Sequence, residues 1–433
     1  MSSRRPLSKA EKTLFFVCPL ALIPLAAIVF VSGGRDAEPD WNIAPAAPRP
    51  TPNGYDFYVA AARATFRFKP EVDPASDTTF NTPGSAYALK NYSLARRNLW
   101  LKANTKTWAL LNKALKTPSM APDYAAKPMA NWAQLRQLSR DVGARGRTFQ
   151  LANQPMRATM SALDSIQMAQ DTTRGGGLLA RLVGIAMMAI GRSPLDDWNK
   201  TVNALSADEA RTAARRLEAI LAREPKMAQT LTVDKRDNLI ELRRIFATES
   251  WRSSMPPDGS TNALSMAWQR QTISKRAIYD NMNRALDAKI AGVKLPYSQA
   301  KVATLPPHLD GFTQLLLGPI NRFVMNDARS NTSNNMLLLR LALRSYIAQH
   351  KTAPPALSAL VPSILKTIPT DVYNDGKPLF YKPNGKIYKL WSVGPDGINN
   401  GGVSMKDRQS PPLRHPASNL LDNKGDFVAG LNR

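Results

Sequence analysis

The chain has 433 residues, 43% of them hydrophobic, enough to bury a sizeable core and to divide into two domains. Its single cysteine, Cys18, excludes a disulfide framework and a cysteine-based zinc site, and His308, His350 and His415 show no metal-ligand spacing. Against 33 Asp and Glu, 58 Lys and Arg leave a formal charge of +25, which favours acidic partners: nucleic acid, anionic head groups or anionic wall polymers. The basic residues are spread along the chain, so a solvated basic surface without a dedicated partner is the equal alternative.

Residues 1–13 form a basic stub with Arg4, Arg5, Lys9 and Lys12, and residues 14–32 are an almost unbroken apolar run. At ~1.5 Å per residue that run reaches across a ~30 Å hydrocarbon core. Asp36, Glu38 and Asp40 follow it, so the positive-inside rule keeps the N-terminus cytoplasmic and the bulk outside. Pro19 and Pro24 are tolerated in a span. No Ala-x-Ala site follows, and Cys18 comes after Val17 where a lipobox needs a small residue. The expectation is an uncleaved single-pass anchor in a bacterial inner membrane.

Residues 33–54 are rich in Pro and Ala and read as an extended spacer. From 55 to 330 the pattern is helical, with candidate helices at 55–66, 86–115, 131–151, 156–170, 178–190, 208–223, 226–252 and 266–290. Ser206 and Glu209 frame a capping box. Breakers lie between them, among them Gly175-Gly176-Gly177, Pro225 and Pro256-Pro257. No internal repeat shows, which leaves an irregular antiparallel helical array as the expected body.

Four features of the body invite a functional reading. Residues 178–190 are apolar but short and carry Arg181, which predicts a buried core helix and not a second span. The triple glycine before them could cradle an anion at a helix N-terminus, although it lacks the Lys-Ser/Thr of a phosphate loop. Asp164, Asp196 and Asp197 fit acid-base carboxylates and solvated helix ends equally well, and no nucleophile, base and orienting group come together. Gly311-Phe312-Thr313 imitates the start of a processed pilin helix, but the apolar run after it stops at Gly318-Pro319, so it reads as a loop entering a core helix.

The last hundred residues change character. Residues 335–350 form an amphipathic helix with Leu338, Leu341, Ala342, Ser345 and Tyr346 on its packed face. A second apolar cluster follows, Leu357, Leu360, Val361, Ile364 and Leu365. Lys377 to Tyr381 and Ile387 to Val393 read as strands joined through Pro383-Asn384-Gly385, a hairpin signal. Gly394-Pro395-Asp396-Gly397 is a tight turn in which Gly397 supplies a positive φ.

That order of motifs resembles the soluble head of the major pseudopilin of type II secretion. The residues that carry it are the helix with Ser345-Tyr346, Leu357-x-x-Leu360-Val361-Pro362, Pro369-x-Asp371 with Gly376-x-Pro378, and Ser392-x-Gly394-Pro395-Asp396-Gly397. The likeness covers about residues 335–428, and the same head occurs at the C-terminus of single-pass bacterial envelope proteins. It implies a calcium loop built from main-chain carbonyls and aspartates, with Asp396 and Asp426 as the matching carboxylates. Here Asn399 and Asn400 follow the motif, and Lys406, Arg408 and Arg414 lie in the long stretch before Asp426. Fewer carboxylates and nearby positive charge make the implied site weak, in the ~10⁻⁴–10⁻³ M range.

The expected protein is therefore mainly α: a transmembrane helix, an irregular helical body over 55–330 and a small pseudopilin-like α+β head over 331–433. Its expected role is non-enzymatic, a structural or interaction protein of the envelope, with an envelope protein as partner beside a secretion or pilus-like system. The alternative is an envelope protein that binds an acidic polymer, nucleic acid or wall glycan. No small-molecule substrate is indicated.

Overall fold

The computed structural model describes residues 37–67, 92–123, 131–196, 199–254, 256, 273–300, 309–317, 320–403 and 425–429. The expected anchor at 14–32 lies outside them; among the described residues no helix is long and apolar enough to cross a membrane. The described chain is mainly helical with one small three-stranded sheet. It divides into two compact units, Met1–Ala44 with Asn238–Ala288 and Leu305–Gly318, and Pro45–Asp237 with Lys289–Thr304 and Pro319–Arg433.

In the larger unit, α1 (Gly54–Ala64) is capped by Asn53, whose side chain accepts from Tyr55 N at 3.0 Å and from Met120 N at 3.1 Å. The single helix expected over 86–115 is two where it is described, α2 (Leu94–Ala103) and α3 (Thr105–Leu115). The break is Asn104. Its buried amide accepts from Phe66 N at 2.8 Å and donates to Phe66 O at 3.1 Å, so it clamps a distant strand of backbone at the expense of helix continuity.

Next come α4 (Trp132–Leu151), α5 (Pro155–Thr173) and α6 (Leu178–Asp196). Proline at the first position of α5 sacrifices no helical N–H. Gly184 and Gly191, two turns apart on α6, let it lie close on α5: a Cβ at either would sit 3.2 Å from the carbonyl of Ala169 or Ala162. As expected, the apolar 178–190 stretch is part of a core helix. After a short α7 (Asn199–Asn203), α8 (Ala207–Leu221) opens on the capping box, with Glu209 N to Ser206 Oγ at 3.3 Å and Ser206 N to Glu209 Oε2 at 2.9 Å. Along the chain then follow α9 (Met227–Phe246), of the larger unit as far as Asp237, α10 (Lys275–Gly292), of the smaller unit as far as Ala288, α11 (Tyr297–Ala300) of the larger, α12 (Gly311–Leu317) of the smaller and α13 (Ile320–His350) of the larger.

The core of this unit is continuous from Tyr55 to Ala429. Leu163, Ile166, Met187, Leu217, Leu339, Leu341 and Leu343 are wholly buried in it. Helix α13 packs against α6 and α8 and carries the sheet, so residues 336–343 are buried on every face and not along the one stripe expected. Its arginines finish its neighbours: Arg340 Nη2 donates to Leu195 O near the end of α6 at 3.0 Å, and Arg344 Nε to Leu205 O at 2.7 Å. Cations on last-turn carbonyls stabilise helix ends.

The compact units are drawn differently from the expected domains. Residue 331 lies inside α13, which starts 15 residues before the expected 335. Leu357, Leu379, Tyr388 and Leu390 of the head share one core with Leu163, Met187 and Leu217 of the body. Among the described residues, this part of the head and the body thus share one core.

The sheet has the order β1 (Phe380–Asn384), β2 (Ile387–Ser392), β3 (Phe427–Ala429), antiparallel throughout. Phe380 pairs with Trp391 and Asn384 with Ile387, leaving Gly385-Lys386 as the hairpin turn, with φ +60° at the glycine. The expected turn at 394–397 is closed by Gly397 N to Gly394 O at 3.1 Å. No third strand was expected; β3 follows directly on Asp426.

In the smaller unit, Trp41 packs on Phe246 and Tyr279 with ring centroids 5.9 and 5.3 Å apart. Lys275 Nζ bonds Phe246 O at 2.8 Å and Glu38 Oε1 at 2.5 Å. The expected spacer at 33–54 is thus docked here through Glu38 and Trp41. Helix α12 is capped by Asp310, which accepts from Thr313 N at 2.9 Å.

Candidate functional site

Four helices of the larger unit line an open cavity of about 460 Å³. Helices α2 and α3 contribute Lys102 and Trp108, α4 contributes Arg145 and Phe149, and α5 contributes Arg157 and Asp164. Aromatic faces and guanidinium groups alternate along its wall. Arg145 Cζ stands 4.8 Å from the Trp108 ring centroid and Arg157 Cζ 3.9 Å from that of Phe149. Trp108 is fixed from behind by Nε1 to Leu101 O at 3.0 Å and by an edge contact with Trp100 at 5.5 Å.

Asp164 lies at the floor. Its carboxylate accepts from the guanidinium groups of both Arg145 and Arg216, so it is neither a solvated helix end nor a free acid-base group. Burial pulls the Arg145 pKa down, and the Asp164 charge opposes that pull. One carboxylate against two arginines, with Lys102 and Arg157 exposed at the rim, leaves the cavity positive. Such a wall can stack a ring or sugar face and bond an anionic group. The side chain of Asp196, and Asp197 altogether, lie outside the described residues.

The triple glycine has its anion within the chain. Asp234 Oδ1 accepts from Leu178 N at 3.0 Å, and a Cβ at Gly177 would collide with that carboxylate. The helix N-terminus is already capped.

In the head, three aspartates hold loops. Asp371, fully buried, accepts from Ser392 Oγ at 2.8 Å, Tyr373 N at 3.0 Å and Val393 N at 3.1 Å. The expected calcium ligands Asp396 and Asp426 do meet at one loop. Asp396 accepts from Ile398 N and Gly425 N, both at 3.1 Å. Asp426 accepts from Asn400 N at 3.0 Å and from Gly402 N at 2.6 Å. Every carboxylate oxygen of the pair faces a main-chain N–H. Calcium takes six to eight oxygens, and the described part of the loop turns main-chain N–H groups onto this pair. Among the described residues no group of three His, Cys, Asp or Glu converges for a metal.

Sequence reasoning missed the aromatic-basic cavity, because its residues come from four helices and no spacing links Lys102 to Asp164. Arg145 and Phe149, one helical turn apart on α4, and Arg157 and Asp164, two turns apart on α5, were the only signal. No family model, curated protein or solved structure matches the chain.

Proposed function

We propose that the chain is a single-pass envelope protein without catalytic activity, anchored through residues 14–32, whose helical body binds an acidic polymer outside the cytoplasm. The observation that carries this reading is the cavity in which Trp108 and Phe149 alternate with Arg145, Arg157 and Lys102. The formal charge of +25 supplies the long-range attraction.

The full chain in mild detergent should bind duplex DNA or heparin at low salt, and affinity should fall steeply as salt rises. Arg157→Ala and Lys102→Ala remove exposed cations without touching the Asp164 pairs. Each should lower the slope of log affinity against log salt by about 1. Absence of binding to either polymer at low ionic strength, or unchanged slopes in both variants, refutes the reading.

A second reading is a structural role beside a secretion or pilus-like system. Its support is that Asp371, Ser392, Gly394 and Asp396, the residues of the resemblance, bond one another's loops in the head. Retention in the envelope fraction at high salt, without polymer binding, favours this one.

A further inference from the structure

The walls of the cavity above Asp164 carry flat groups as well as charge. Each aromatic ring lies against a guanidinium: Phe149 under Arg157 at 3.9 Å and Trp108 under Arg145 at 4.8 Å. The two layers differ in access. Arg145 is buried, whereas Arg157 is exposed and lines the cavity, with Phe149 and Trp108 half-buried. Arg157 is also tied in place, since its Nη1 donates to Gln154 Oε1 at 2.7 Å. A planar cation resting on a ring and held by a second bond is a preformed platform.

Acidic polymers meet such a platform differently. A duplex keeps its bases stacked and paired, so it brings only phosphates to the cavity. An anionic glycan brings sugar faces whose C–H groups are slightly positive. These suit the negative face of a ring but not the face of a guanidinium. An unpaired nucleobase suits both, because it stacks on aromatic rings and on arginine planes alike. With one face of Phe149 under Arg157, the most exposed flat group of the wall is a cation, and the base is favoured. About 460 Å³ is within the range of small-ligand sites. At the rim, Lys102 is exposed and can meet a phosphate of the same strand.

We propose that the polymer is single-stranded nucleic acid, and that the cavity takes an unpaired base on Arg157 while Lys102 meets a neighbouring phosphate. This rests on the acidic-polymer reading of the same cavity and names the class of polymer.

The test compares an oligothymidylate strand with an abasic strand of equal length, each titrated into the full chain in mild detergent. Both strands carry the same phosphates, so their affinities should fall with salt along parallel lines. At any one salt concentration the intact strand should bind about tenfold tighter, the effect of a stacked base. Arg157→Lys keeps the charge and loses the plane. It should bring the ratio of intact to abasic affinity close to one without changing the salt slope. Phe149→Leu should lower the same ratio by removing the support of that plane. Arg157 is exposed, so its variant reads the site even where Phe149→Leu loosens the fold. Equal affinity for the two strands overturns the proposal, as does an undiminished ratio in Arg157→Lys. If both strands and heparin bind without preference, the acidic-polymer reading stands and this inference alone falls; no binding to any of them removes both. Heparin affinity that drops in Phe149→Leu while the strand ratio holds gives the cavity to a glycan and also overturns it.

Discussion

Asp164 in the helical array and Asp371 beneath the sheet are both buried carboxylates, and they are satisfied in opposite ways. Asp164 is held by two guanidinium groups, those of Arg145 and Arg216. Asp371 is held by neutral donors alone: a serine hydroxyl and main-chain N–H groups. Burial raises the pKa of Asp371, and those donors oppose the rise. The difference separates two uses of one side chain. In the body the carboxylate cancels part of a cationic cluster and leaves a positive cavity above it. In the head it fastens loops to strands, and its own charge, met only by neutral donors, is buried out of reach of any partner.

The comparison breaks most visibly under truncation. Asp371→Ala strands the Ser392 hydroxyl and buried N–H groups at once, and unpaired buried donors cost about 1–3 kcal/mol each before relaxation. A loss of about 3–4 kcal/mol in denaturant unfolding of the full chain is expected. Asp164→Ala should cost no more, about 3 kcal/mol, the low end for a broken buried pair, because Arg216 retains 29% side-chain exposure and can turn to water. Arg145 keeps its Nε bond to Ser161 Oγ at 3.2 Å and its place over Trp108. Asp164→Ala should also tighten polyanion binding, whereas Asp371→Ala should leave it alone. A larger loss from Asp164→Ala than from Asp371→Ala would reverse the assignment of the two roles.

A third carboxylate sharpens the contrast because it has neither arrangement. Asp141 Oδ1 accepts from Gln137 Nε2 at 3.2 Å, Arg67 stands off at 4.0 Å, and Oδ2 is buried without a partner. Burial pushes its pKa up to about 7 from 3.8. The folded chain then holds this proton to higher pH than the unfolded chain does. Stability from this group is full below about pH 4 and falls as pH rises through about 7. Asp141→Asn should flatten that part of the stability profile and raise stability at pH 8 by about 2 kcal/mol. Parallel profiles for variant and parent between pH 5 and 8 would remove Asp141 as the cause.

Much of this arrangement was legible in the sequence, and the exceptions share a cause. The α4, α5 and α8 patterns, the Ser206–Glu209 box, the hairpin and the turn at 394–397 depend on local chemistry that neighbouring residues state outright. Residues 331–335, Asn-Thr-Ser-Asn-Asn, have poor helix propensity, yet they lie within α13. Buried Asn334 accepts from Arg192 of α6 at 2.5 Å, and Thr332 is buried beside it, so the helix is fixed by a partner 142 positions away. Asn104 fails for the same reason, since the backbone it clamps is that of Phe66. Strand β3 has three residues and pairs with β2 across a long connection, too short a run for any alternation to show.

The finest test of the two uses of carboxylate is calcium. The resemblance of the head implies an ion between Asp396 and Asp426, whereas the loop offers main-chain N–H groups to both. Gly425 N on Asp396 and Asn400 and Gly402 N on Asp426 draw the two arms of the loop together. To bind calcium, the pair would have to share lone pairs with those N–H groups and further oxygens would have to turn inward. A site half-filled at millimolar calcium would add only about 0.4 kcal/mol by mass action. For a chain of this size that moves the melting temperature by about 1 °C at most. The full chain is the proper sample, because the head shares its core with the body. Asp426→Ala should lower the melting temperature equally with chelator and with millimolar calcium, since what it loses is the N–H cradle. A rise of several degrees on adding calcium, abolished by Asp426→Ala, would instead return the ion to this loop. It would also show that the head closes on charge, as the body does.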